Sequence, residues 1–159
     1  MTNSYNSHHA APGAYGTFTL GNFHTRGGFG VNDGRKPGDQ QVYIGFTHDG
    51  KALTALPFFE RLDSDATAAF TGESGDAEGR SLQAIPAESI TRDCGWGSDT
   101  WQAPGIRFRI DSPFGPITEP GRGSAEALRR ALLPAVTAEL EWDNTRGQSE
   151  MTGFFAIGF

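Results

Sequence analysis

The sequence predicts an all-β chain, mainly an antiparallel β-sandwich, with one short helix. Three observations lead there. Six segments carry the two-residue apolar alternation of strands. The 159 residues include 22 glycines and 9 prolines, a turn-rich composition. Only one run reads as a helix. Domains of this length hold one hydrophobic core, so residues 1–159 are read as one unit.

The elements follow in chain order. In Tyr15–Leu20, Phe18 and Leu20 share a face with Gly16. Gly27-Gly28-Phe29-Gly30 precedes neither a GK[ST] triplet nor a helix, so it reads as a glycine-rich β-connection rather than a phosphate cradle. In Gln41–Thr47, Val42, Ile44 and Phe46 alternate with their neighbours. Lys51–Glu60 reads as a strand in which Pro57, lacking an N–H, requires an edge or a bulge. Asp63–Arg80 is acidic and glycine-bearing and reads as a long exposed loop.

The sharpest pattern is GIRFRIDSP, with Ile106, Phe108 and Ile110 inward and Arg107, Arg109 and Asp111 outward. Ser124 is a good N-cap for a helix over Ala125–Leu133, which Pro134 stops. Between Pro134 and Asn144, Val136, Ala138, Leu140 and Trp142 share one face. The last strand, TGFFAIGF, is apolar to its end, and such a strand needs neighbours and a sheet to pack on. The expectation is an incomplete sandwich whose chain continues beyond Phe159.

A net charge of −6 provides no basic footprint for nucleic acid or an anionic membrane, and no stretch reaches the length of a membrane span. Cys94 is the single cysteine, so no intrachain disulfide forms and a reducing, cytoplasmic setting is expected. No cofactor motif stands out.

The candidate functional residues are few. His8 and His9 are adjacent, so on an extended chain they point to opposite faces, and no third metal ligand lies at suitable spacing. Asn6, His8 and His9 could line a polar pocket or simply fill a surface turn before Pro12. Trp96 and Trp101 could stack on a sugar or form core and corner. No pair of carboxylates is oriented as glycosidic hydrolysis requires. Neither Cys94 nor Ser98 nor Ser112 sits in a nucleophile context.

The stretch NSHHAAPGAYGTFTLG resembles the opening of glycoside hydrolase family 52, the β-xylosidases. The resemblance continues in order through QQVYIG, ALPFFE, SDTWQAPGIRFRIDSP and ALLPAVTAELEWDNTRG. Pro12 departs from it, standing one position later than the family tends to place that proline. The resemblance implies an N-terminal β-sandwich followed by an (α/α)6 barrel, and hydrolysis of terminal β-xylosides with retention. It also implies that both catalytic carboxylates belong to the barrel, so that none falls within residues 1–159.

On that reading Asn6, His8, His9 and Trp101 are candidates for contact with the sugar near the domain junction. The partners would be a β-xyloside bound by the full enzyme, the C-terminal helical domain, and a second copy through the face left bare. The alternative is a stand-alone carbohydrate-binding or interaction module with Trp96 and Trp101 as its platform.

Overall fold

The computed structural model describes residues 5–12, 14–31, 38–60, 81–119, 121–133, 135–147 and 149–158. The described residues form eleven strands: β1 (Ser7–His9), β2 (Gly16–Leu20), β3 (Gly28–Val31), β4 (Gln41–Thr47), β5 (Ala52–Ala55), β6 (Ser81–Ala84), β7 (Thr91–Cys94), β8 (Ser98–Ala103), β9 (Ile106–Asp111), β10 (Thr137–Trp142) and β11 (Thr152–Gly158). A 3-10 turn covers Ala87–Ser89, and helix α1 covers Ala125–Ala131. The Ser124 hydroxyl accepts from the Ala127 N–H at 3.1 Å, the expected cap. The acidic loop read over residues 63–80 and the stop at Pro134 lie outside the described residues.

The strands form three sheets, ordered β1-β2-β3, β10-β9-β8-β7 and β11-β4-β5-β6. All pairings are antiparallel except β5 with β6, which is parallel. The two four-stranded sheets enclose the main core, in which Val42 and Ile44 of β4 meet Trp101, Ile106, Phe108 and Ile110 of β8 and β9. Phe18 and Leu20 bring the small sheet onto the same cluster. The Phe58 ring meets Trp101 edge-on at 5.1 Å, and Trp101 stacks on Phe108 at 5.7 Å. This is the two-layer solution that apolar sheet faces demand.

The alternation read in β9 and β10 holds. Ile106, Phe108 and Ile110 are at most 3% exposed, and they oppose Trp142, Leu140 and Ala138 across the ladder. One reading is refined and one corrected. The regular strand within Lys51–Glu60 ends at Ala55, but the chain stays on β4 in the bulge that Pro57 requires: the Leu56 N–H donates to the Ile44 carbonyl at 2.8 Å, the Val42 N–H donates to the Phe58 carbonyl at 3.1 Å, and Pro57 sits in the tight turn between them. Gly28–Val31 is a true strand, because it pairs antiparallel with β2, Phe29 opposite Phe18, while on its other edge the Gln40 side-chain oxygen accepts from the Phe29 N–H at 2.6 Å and its amide donates to the Phe29 carbonyl at 3.1 Å.

Among the described residues, nothing covers one side of the sandwich. The edge strands β10 and β11 contribute core-facing residues that remain bare: Ala138 is exposed, Trp142 is 41% exposed, and Phe155, which opposes buried Ile44, is 48% exposed. The Trp142 indole crosses this gap, donating to the Gly45 carbonyl at 3.1 Å and lying against Gly153, where any Cβ would strike its ring.

Truncating Phe108 to alanine removes a side chain packed on both sheets and is expected to cost about 3–5 kcal/mol in urea denaturation. A loss below about 1 kcal/mol would show that the two sheets do not share this core.

Candidate functional site

Three residues are too short a strand to hold themselves in place, yet β1 sits in a defined register, with Ser7 opposite Leu20, His8 opposite Thr19 and His9 opposite Phe18. It is held from the side by Arg92 of β7 and Asp99 of β8. Both side chains are almost wholly buried, at 4% and 2% exposure. Arg92 Nε donates to Asp99 Oδ1 at 3.0 Å and Nη2 to Oδ2 at 2.8 Å, a two-pronged pair. The same guanidinium donates to the Tyr5 carbonyl at 2.6 Å and the Ser7 hydroxyl at 2.7 Å. Its carbon lies 4.3 Å from the Tyr5 ring centroid and 5.1 Å from that of Trp101.

The two histidines part company here. His9 is 4% exposed on the core side, its Nδ1 sharing a hydrogen bond with the Ser112 hydroxyl at 3.2 Å and its Nε2 standing 3.4 Å from Asp99 Oδ2. His8 is exposed, with Nδ1 sharing a hydrogen bond with the Thr19 hydroxyl at 2.8 Å. Asn6 lies at the surface, where its side-chain oxygen accepts from the Asn22 N–H at 2.9 Å. His8 and His9 line one cleft of about 220 Å³, together with Ser7, Ser98, Asp99 and Ser112. Tyr5 and Cys94 also line it, the Tyr5 hydroxyl donating to Cys94 Sγ at 2.8 Å.

Trp101 is corrected as a sugar contact. It is 0% exposed, with one ring face on Phe108 and Arg92 nearby, so no face remains for a ligand. Arg92 and Asp99, which organise the cleft, drew no attention in the sequence. Their signal was an alternation, since Asp99 and Trp101 share a strand face across a tight Gly-Trp-Gly turn from Arg92.

The electrostatics make Asp99 a structural ion. Burial alone would raise its carboxyl, but the contacts from His9, Arg92, Cys94 and Ser7 outweigh burial and hold it well below the usual carboxylate range. Other carboxylates are also committed to cations: Asp111 to Arg109 at 2.7 Å, Glu141 to Arg107 at 2.9 Å and Glu60 to Arg26 at 3.1 Å. A larger recess of about 970 Å³, between Gln102, Gly105 and Trp142, contains that same Arg107–Glu141 pair. Among the described residues, no three His, Cys, Asp or Glu side chains gather as metal ligands.

Replacing Asp99 by alanine strands a buried guanidinium and is expected to cost about 3–5 kcal/mol. Because the folded-state carboxyl is depressed, its stabilisation is complete above the unfolded value of about 3.9 and is lost as pH falls toward the folded value. Stability measured by denaturation should therefore fall below about pH 4, with a shallower slope in Asp99→Asn. An identical slope in the variant would remove Asp99 from this role.

Comparison with known proteins bears on what this cleft belongs to. The Glycosyl hydrolase family 52 model matches residues 18–159. A β-xylosidase of Geobacillus stearothermophilus is 40% identical over 164 residues, covering 96% of this chain and 26% of the relative. A second β-xylosidase of the same organism is 33% identical over 158 residues, covering 96% of this chain and 22% of the relative. The chain thus spans about a quarter of the length of these relatives. With the family's sequence pattern running from β2 through β11, this chain belongs to glycosyl hydrolase family 52.

Proposed function

We propose that this chain is the N-terminal, non-catalytic β-sandwich portion of a β-xylosidase that hydrolyses terminal β-xylosides with retention. The observation that carries the reading is the match of 96% of the chain, at 40% identity, to 26% of a β-xylosidase. The carboxylates support it. Asp99 is buried and ion-paired, and Asp111, Glu141 and Glu60 each neutralise an arginine, so none of these is poised as a nucleophile or an acid.

In the complete enzyme a carboxylate from another segment attacks the anomeric carbon while a carboxylic acid protonates the departing oxygen. Water then releases the sugar, with the acid acting as base. The sandwich serves that chemistry by presenting the β1 segment, with Asn6, His8 and His9 near the sugar at the junction with a helical catalytic domain. His8 is the residue suited to touch substrate, because His9 is enclosed and Asn6 holds the Asn22 backbone.

The bare inner faces of β10 and β11 fit the same reading. β10 and β11 are edge strands among the described residues, and further strands of a longer chain, or a second copy, would pair there and cover Phe155 and Trp142. No helix among the described residues is long and apolar enough to cross a membrane. Cytoplasmic residence is part of the proposal, supported by the single unpaired Cys94.

The 159-residue chain is expected to release no aryl alcohol from an aryl β-xyloside, whereas hydrolysis at the rate of a complete relative would overturn the division of labour. In a complete family member, alanine at the position of His8 should raise KM with little change in thermal stability. Unchanged kinetics would remove His8 from the substrate site.

A further inference from the structure

The turn between β7 and β8 displays an aromatic ring that the core does not use. Trp96 is 89% exposed and Phe114, in the segment after β9, is 78% exposed. Their rings nevertheless meet edge-to-face, with centroids 5.7 Å apart at 60°. The backbone beneath them is tied down. The Gly95 N–H donates to the Ser98 carbonyl at 2.9 Å, and the Ser112 N–H to the Gly97 carbonyl at 2.7 Å. Gly97 has φ +71°, and a Cβ there would stand 3.1 Å from the Ser112 carbonyl, so the turn favours glycine both conformationally and sterically.

The backbone that carries these rings borders the histidine cleft: Gly95 and Gly97, on either side of Trp96, line it with Ser98, Ser112 and His8, and a Cβ on Gly97 would stand 3.8 Å from Phe114 Cβ. Exposed apolar rings next to a cleft lined by hydroxyl and imidazole groups form a two-part surface. A sugar matches both parts: the C–H face of its ring covers an aromatic face, and its hydroxyls donate and accept around the rim. A wholly apolar partner would leave the cleft's polar groups buried without hydrogen bonds. An anionic ligand would approach the Asp99 carboxylate.

We propose that Trp96 and Phe114 form a stacking platform for one xylosyl unit of a xylo-oligosaccharide, whose hydroxyls reach His8 in the adjoining cleft. The choice of xylose rests on the reading of this chain as part of a β-xylosidase. The platform rests on the aromatic pair and its position. His8 suits the role, because Thr19 engages Nδ1 and leaves Nε2 for a ligand.

The test is titration of the 159-residue chain with xylotriose, following tryptophan fluorescence and the Trp96 indole resonance. Trp96→Ala is expected to weaken binding by about tenfold, and Trp96→Phe to retain most of it. Thermal stability should not change in either variant, since the ring is solvent-exposed. Equal affinity in Trp96→Ala, or a Trp96 indole signal unmoved by xylotriose, would overturn the platform. So would an effect of Trp96→Ala on self-association alone. Binding lost in His8→Ala but kept in Trp96→Ala would reject the platform and leave the histidine reading standing. Absence of any xylotriose binding would reject the platform without touching the assignment of hydrolysis to another segment.

Discussion

The buried pair between Arg92 and Asp99 is the interaction on which the arrangement of this chain's N-terminal segment depends. Two ions removed from water cost several kcal/mol each to desolvate, and only dense hydrogen bonding makes such a pair tolerable. Here the carboxylate receives both prongs of the guanidinium, which also donates to the Tyr5 carbonyl and the Ser7 hydroxyl. Because those last two acceptors belong to the N-terminal segment, the pair fastens it to the β7–β8 hairpin. A lysine could match the charge but not the planar fork.

That fastening explains the adjacent histidines. Extended backbone sends neighbouring side chains to opposite faces, and β1 uses the parity to give each imidazole a different task. His9 turns inward to Asp99 and Ser112, tying β1 to β8 and to the segment after β9. His8 turns outward to the cleft beside the Thr19 hydroxyl. The anchored histidine thereby fixes the position of the accessible one. Among the described residues, Asp99, Asp111, Glu141 and Glu60 are each paired with an arginine.

Much of this architecture was legible where one sheet face is dry and the other wet. The alternation in β9 and β10 named the inward residues correctly, and Ser124 marked the helix start through its cap. Legibility failed where a strand depends on distant partners. β3, rich in glycine, is a strand because β2 pairs with one edge and Gln40 meets the other, and β6 is a strand because it lies parallel to β5 across a long connection. Neither fact leaves a local periodicity. In the site, the histidine pair was conspicuous by adjacency alone, whereas no motif or spacing marks Arg92 and Asp99. Trp101 stayed open between a sugar contact and the core, because a tryptophan among glycines and polar residues does not show which face of its strand it occupies. Its neighbour Trp96 is the exposed one.

The most direct measurement of the central claim is hydrogen exchange at the Ser7–His9 amides, compared between the native chain and Arg92→Lys. If the guanidinium fork fastens the segment, those amides lose protection in the variant while β8 and β9 keep theirs. Equal protection of Ser7–His9 in the two proteins, or a loss that begins in β8 and β9, would contradict the account.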